Sequence, residues 1–259
     1  MILSLYQIDA FADTIFSGNP AAICPLDEWL SDKVMQAIAA ENNLSETAFY
    51  VKTDDGFQIR WFTPNTEVVL CGHATLACAY LLFEILDYPE DVITFQSQSG
   101  LLTVTRKNKL LTLNFPTQLA TKCELPEFLN TAFNSTYIEC LKSEDYILVF
   151  KTEQEIIEAK PNLEKLMKND LRGVIITAPS NQYDFVCRFF APNCGIDEDP
   201  VTGSAFTQLT PYWANQLSKK ILTAKQVSNR GGEVWLEEKQ DRILISGKAV
   251  LYMKAEISI

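Results

Sequence analysis

Short runs of alternating apolar and polar residues fill most of the chain, broken by a few segments with helical spacing. Residues 2–8 read as a strand and Ser17-Gly18-Asn19-Pro20 as a turn. Val34, Ala37 and Ile38 recur at helical intervals within 30–42, with Ser31 placed to cap that helix. Residues 47–51 and 57–62 read as strands around the turn Asp54-Asp55-Gly56. Residues 72–86 predict a helix in which Ala74, Leu76, Ala77, Cys78, Ala79, Leu81, Leu82 and Phe83 leave almost no polar face. A helix apolar all round is buried on every side. Strands at 93–95, 101–105 and 110–115 follow, the last two joined across Arg106-Lys107-Asn108-Lys109. The second half repeats this order. Residue 138 and residues 146–150 are strand-like, 153–167 is an amphipathic helix split by Pro161, and 174–177 and 185–190 are strands. Residues 203–217 form the second apolar helix, with Pro211 kinking it or ending its first part, and 234–237 with 242–246 make a last hairpin.

The repetition extends to individual residues. Arg60-Trp61-Phe62-Thr63-Pro64-Asn65 is answered by Arg188-Phe189-Phe190-Ala191-Pro192-Asn193, 128 positions later. Gly72-His73-Ala74 is answered by Gly203-Ser204-Ala205, and Ser99-Gly100 by Arg230-Gly231, both 131 positions later. A period of half the chain is too long for a solenoid unit. It predicts two facing copies of one domain, 1–116 and 117–259, with 250–259 a candidate segment to complete the first, and a ligand in the cleft between them. The simplest way to bury an apolar helix on every side is to wrap strands around it. Each half therefore reads as a barrel-like mixed sheet enclosing its helix, an α+β arrangement. An open sheet with helices on one face is the alternative.

Composition narrows the partners. The 259 residues carry a net charge of −11, which argues against a nucleic-acid backbone or an anionic membrane as partner. A local field can still draw a small anionic substrate. Seven cysteines, an odd number without a C-x-x-C, predict reduced thiols in a cytoplasm. No run reaches the apolar length of a membrane span.

Both apolar helices begin at a glycine, in Cys71-Gly72-His73 and Thr202-Gly203-Ser204. A helix start offers unpaired N–H groups, and glycine lets a ligand approach them, so two such ends could clamp a carboxylate. Glycine also simply permits a tight strand-to-helix turn. Other positions differ between the copies. Glu46 is answered by Gly173, and His73, the one histidine, by Ser204. Asp199 sits in the inserted segment just before the second helix. Two carboxylates and an imidazole are the inventory for moving a proton between two positions of a substrate. Each has a bland reading: a surface Glu, a structural His, and an Asp197-Glu198-Asp199 run that favours a helix N-terminus electrostatically. No metal is expected, because no second His or spaced carboxylate set completes a coordination sphere. A Ser204–His73–Asp199 triad lacks the G-x-S-x-G elbow, and no phosphate-loop or dinucleotide fingerprint is present.

At these residues the chain resembles the phenazine-biosynthesis PhzF family, whose fold is shared with diaminopimelate epimerase. The stretches that carry the resemblance are Asp9-Ala10-Phe11, Gly18-Asn19-Pro20-Ala21-Ala22, Asn43-Leu44-Ser45-Glu46-Thr47-Ala48-Phe49, Arg60-Trp61-Phe62-Thr63-Pro64, Cys71-Gly72-His73-Ala74-Thr75 and Glu198-Asp199-Pro200-Val201-Thr202-Gly203-Ser204-Ala205. They run in order through essentially the whole chain. The resemblance implies two pseudo-symmetric lobes, each an antiparallel barrel-like sheet around a central helix. It implies a cofactor-independent isomerase and, commonly, a homodimer. In the family's best understood member the substrate is trans-2,3-dihydro-3-hydroxyanthranilate. Carried over by motif, Glu46 is the general base and acid, and His73 and Asp199 bind substrate and assist proton movement. Gly18, Asn19, Gly72, Gly203 and Ser204 bind the small carboxylate substrate. Glu46 would need a raised pKa, for which Trp61 and Phe62 are candidate apolar walls. The epimerases use two cysteines, one at each helix start. Here Cys71 holds one place and Thr202 the other, which disfavours a two-thiol racemase. A His is frequent in the family where this chain has Phe206, so substrate identity is open. A non-catalytic binding protein and a thiol racemase acting through Cys71 remain the competing readings.

Overall fold

A computed structural model describes residues 1–134 and 136–259. In chain order the elements are β1 (Ile2–Ala10), β2 (Asn19–Leu26), α1 (Asp32–Asn42), β3 (Glu46–Thr53), β4 (Gly56–Phe62), β5 (Glu67–Val68), α2 (Gly72–Tyr80), β6 (Val92–Ser97), β7 (Gly100–Lys107), β8 (Leu110–Pro116) and β9 (Thr121–Lys122). They continue as β10 (Glu139–Lys142), β11 (Tyr146–Val149), α3 (Glu153–Glu158), α4 (Leu163–Leu166), β12 (Val174–Pro179), β13 (Phe185–Ala191), β14 (Ile196–Asp199), α5 (Gly203–Leu217), β15 (Ile221–Gln226), β16 (Gly232–Lys239), β17 (Arg242–Gly247) and β18 (Ala249–Ser258). Two compact units emerge: Met1–Asn114 with Ser246–Ile259, and Phe115–Ile245.

In the first unit, β18, β1 and β2 pair antiparallel in succession, β2 pairs parallel with β3, and β3 pairs antiparallel with β4. Parallel strands need a long crossover, and α1 supplies it between β2 and β3. The second crossover, from β4 to its parallel partner β6, contains α2. In the second unit β11 pairs parallel with β12 across α3 and α4, and β13 with β15 across α5. The pairing within each unit is therefore mixed, as the residue pattern indicates. The antiparallel description that accompanies the resemblance holds for most pairs but not for these four.

Alternation along β3 sorts the first unit's core into two faces. Phe49 packs with Phe62, Ala22, Cys24 and the buried Met35, Ile38 and Ala39 of α1. Residues 46, 48 and 50 point the other way. Residues 73–79 of α2 are all buried, His73 included. Burying a Leu such as Leu76 is worth about 2 kcal/mol, so a helix with no exposed face draws its stability from packing rather than propensity.

Local differences from the sequence expectations have physical reasons. The predicted helix at 72–86 is α-helical only to Tyr80 and continues as a π-helical turn, Leu81–Ile85, with Leu86 N–H donating to Leu81 O. Ser31 stands at the N-cap of α1, but its hydroxyl makes no capping bond; its carbonyl accepts from Val34 and Met35 instead. Pro161 does separate two helices, α3 and α4. Pro211 does not break α5. Proline leaves the carbonyl four residues earlier without its helical donor, and that carbonyl, Thr207 O, accepts from Gln118 N–H at 3.1 Å.

Candidate functional site

The register of the strands fixes which residues correspond in the two units. Thr47 pairs with Phe62 on β3 and β4, and Val174 pairs with Phe190 on β12 and β13. Glu46 therefore answers Gly173. Phe189 explains the glycine: a Cβ on Gly173 would lie 2.4 Å from Phe189 Cζ and 3.0 Å from Phe190 O. Trp61 pairs with Val68, and Phe189 with Asp199, so Asp199 answers Val68. This corrects the expectation that Asp199 belongs to an inserted segment. The extra residues lie earlier, in the 3-10 turn Pro192–Cys194 closed by left-handed Gly195, where the first unit has only the turn held by Thr63 and Thr66.

One pair is shared. Arg60 donates through Nε and Nη2 to both oxygens of Glu67, each at 2.7 Å, and lies over the Phe62 ring. Arg188 does the same to Glu198 at 2.7 and 2.9 Å, over the Phe190 ring. The bidentate fork ties the strand before each central helix to its neighbour.

Glu46 opens β3, just after left-handed Asn43 ends α1. Its Oε2 lies 3.3 Å from His73 Nε2, on the second residue of α2. Cys71, at the N-cap of α2, places Sγ 3.5 Å from His73 Nδ1. His73 is 5% exposed, and burial holds its imidazole well below the ordinary 6.5, at about 3. It is neutral at physiological pH. A neutral imidazole carries one N–H donor and one bare acceptor nitrogen. Glu46, Cys71 and His73 offer donor atoms within 4.8 Å of one another, close enough to hold a metal ion. The thiol and the carboxylate face opposite ring nitrogens, however, so an ion on either nitrogen would have to draw one of them around the ring. Trp61 pairs with Ala48 and shares the face of Glu46, whereas Phe62 packs on the α1 face; Phe62 is therefore not a wall of Glu46.

Gly18 and Asn19 lie at the β1–β2 turn. Gly18 has φ +66°, and a Cβ there would stand 2.2 Å from Ala10 O, which only glycine avoids. Asn19 is fully buried, two residues before Ala21, the strand partner of Glu46. Gly72 is the first residue of α2.

In the second unit Asp199 is buried at the end of β14, and its carboxylate accepts from Thr202 Oγ1. One buried carboxamide, Gln226 on β15, accepts from Thr202 N–H at 2.9 Å and donates to Asp199 O at 2.6 Å. Gly203 begins α5. Ser204 Oγ accepts from Arg172 Nη1 at 2.8 Å. Arg172 is in turn forked onto the fully buried Asp145, at 2.9 and 2.5 Å, and Asp145 is bonded both ways to Gln208. Desolvation works against the charge of Arg172, but Asp145, Glu144 and Asp199 outweigh it and raise its pKa. A ring Ser204–Arg172–Asp145–Gln208 thus begins and ends one turn apart on α5. Sequence reasoning missed Arg172, Asp145, Gln208 and Gln226. The available signal was Arg172 beside Gly173, the residue that answers Glu46. Phe206 is fully buried, its ring 6.3 Å from that of Phe185.

The family model for phenazine biosynthesis-like proteins, PhzC-PhzF, matches residues 8–255. The chain belongs to the PhzC/PhzF family. It is 48% identical to an uncharacterized isomerase of Pseudomonas aeruginosa, over the whole of both chains. The crystal structure of a PhzF-family protein of Enterococcus faecalis superposes with a TM-score of 0.98 at 43% identity, covering all of both chains. A predicted epimerase of Pseudomonas aeruginosa matches with a TM-score of 0.76 at 20% identity, over 98% of this chain and 99% of its own, a likeness that shows the epimerase-like fold alone. Membership of the PhzC/PhzF family and the isomerase relatives support a general isomerase or epimerase function. Among the described residues no helix is long and apolar enough to cross a membrane.

Proposed function

We propose that the chain is a cofactor-independent isomerase that moves a proton between two carbons of a small carboxylate substrate, with Glu46 as the general base and acid. One observation carries this reading: the one carboxylate at 46 that has no counterpart in the second unit lies 3.3 Å from the single, buried, neutral imidazole. A neutral His73 with hydrogen on Nε2 is a donor toward Glu46. A ring already protonated there and cut off from water does not readily take a second proton, so the substrate-derived proton rests on Glu46 until it is returned at the second carbon. The N–H groups opening α2 at Gly72 suit a substrate carboxylate, and those opening α5 at Gly203, beside the Ser204 hydroxyl, are of the same kind. Gly18 and Asn19 line the substrate in this reading, and Asp199 holds a polar group of it. Apo geometry at such sites is often long and tightens only with substrate bound, so 3.3 Å is compatible with the role.

The test is solvent-deuterium exchange. Wild-type protein and Glu46→Gln are incubated in D2O with a panel of small carboxylates, including trans-2,3-dihydro-3-hydroxyanthranilate and amino acids. The proposal expects deuterium in one compound with the wild type and a rate roughly 10² to 10⁴ lower with Glu46→Gln. Equal rates would remove Glu46 as the base. Exchange lost in Cys71→Ser but kept in Glu46→Gln would shift the reading to a thiol racemase.

A further inference from the structure

We propose that Cys71 is a positioning residue that fixes the tautomer of His73: its S–H donates to Nδ1, which keeps the ring proton on Nε2, the nitrogen on the side of Glu46. Three observations on two residues converge on this. Cys71 Sγ lies 3.5 Å from Nδ1, within hydrogen-bond reach for sulfur. His73 Nε2, on a side chain more than nine-tenths buried, makes no hydrogen bond among the described residues and faces Glu46 Oε2 at 3.3 Å. Cys71 is itself buried and sits at the N-cap, with extended φ of −144°, so its side chain stays beside the first turn of α2.

The chemistry follows from proton counting. A neutral imidazole has one proton to place. With the thiol hydrogen occupying Nδ1, that proton resides on Nε2. A thiolate–imidazolium pair would need both ring nitrogens protonated, with positive charge on a ring cut off from water, which burial opposes. The S–H is a weak donor, so its loss loosens the preference rather than inverting it. In the reaction proposed above, the tautomer leaves no bare nitrogen on the side of Glu46 to accept its proton. The tautomer itself does not depend on that reading.

The chain has a single histidine, so its imidazole nitrogens are assigned without ambiguity. The experiment is nitrogen-15 NMR on the full chain labelled at histidine, free of substrate, for the wild type, Cys71→Ala and Cys71→Ser between pH 5.5 and 8. The wild type should show one protonated and one bare nitrogen, with Nε2 the protonated one, across the whole range. Cys71→Ala should move the tautomer ratio toward Nδ1–H by roughly two- to tenfold, the equivalent of one ordinary hydrogen bond. Cys71→Ser keeps a donor and should restore the wild-type pattern. Three results would overturn the proposal: an imidazolium at pH 7, a wild-type ring protonated at Nδ1, or a ratio that Cys71→Ala leaves unchanged. If Cys71→Ala does not fold, wild type and Cys71→Ser still decide, because both must show Nε2–H. No substrate is used, so failure here is distinguishable from failure of the exchange test on Glu46.

Discussion

The starts of α2 and α5 are the same backbone turn carrying different chemistry. Each begins at a glycine, after a strand tied by an arginine fork, Arg60 to Glu67 in one unit and Arg188 to Glu198 in the other. Beyond that frame they part. At α2 a buried imidazole stands between a thiol and a carboxylate. At α5 the hydroxyl of Ser204 is held by Arg172, which is anchored on buried Asp145 and Gln208. The side of Gly173 that answers Glu46 is filled by the Phe189 ring. The difference teaches that the fork and the glycine serve the backbone. The unmatched residues divide into a buried imidazole between a thiol and a carboxylate, and a hydrogen-bonded network built on a buried ion pair.

The largest expected effect breaks the network at α5. Arg172→Ala leaves the Asp145 carboxylate buried with only Gln208 to satisfy it. Removing one partner of a buried pair costs several kcal/mol; with Gln208 remaining and Arg172 partly exposed, a loss of about 3 kcal/mol is expected in urea unfolding. A loss below 0.5 kcal/mol would show that the network is ornamental (that threshold being about the scatter of an ordinary surface change). Next is Gly173→Ala, which forces the Phe189 ring to move and should cost about 1–3 kcal/mol, read as a fall in thermal midpoint. An unchanged midpoint would mean the ring yields freely and the comparison with Glu46 is not steric.

The side at α2 is probed by pH. His73 is held at about 3, below its ordinary 6.5. The unfolded chain takes up that proton first as pH falls, so the contribution is fully present above 6.5 and is lost as pH drops toward 3. The slope is about 1.4 kcal/mol per pH unit within that window. His73→Asn should remove this slope between pH 6.5 and 5.5, measured by urea unfolding at both. An identical slope in the variant would contradict the buried neutral imidazole. The smallest effect sharpens the shared frame. Arg60→Ala should cost less than about 1 kcal/mol, as expected of a partly exposed pair. Arg188→Ala should cost more, because Arg188 also donates to Ile156 O and Ala159 O.

Much of this was legible in the chain. Period-two runs and the Asp54-Asp55-Gly56 turn marked β3 and β4, and an apolar run marked α2, because burial on one face or on all faces leaves a direct imprint on residue order. Glu46 and His73 stood out because the repeat set a different residue, Gly173 and Ser204, against each; Asp199 stood out only within a segment that read as inserted. What was hidden lay in three dimensions. The parallel pairing of β2 with β3 depends on the crossover of α1, which no local pattern encodes. β18 is mostly half-buried or exposed, so its pairing with β1 left little alternation to read. Pro211 stays inside α5 because a distant residue, Gln118, takes up the freed carbonyl. Phe62 looked like a wall of Glu46 until the register put it on the other face of the sheet. Asp145 and Arg172 are 27 positions apart and meet only through the fold.

The most direct test of the account compares its two carboxylates on one compound. On whichever carboxylate the D2O panel identifies, exchange rates are measured for wild type, Glu46→Gln and Asp199→Asn. The account predicts a rate roughly 10² to 10⁴ lower for Glu46→Gln at saturating substrate. For Asp199→Asn it predicts chiefly a raised KM, as expected when binding rather than proton transfer is weakened. Full exchange by Glu46→Gln, with exchange abolished in Asp199→Asn, would contradict it and move the base to the second unit.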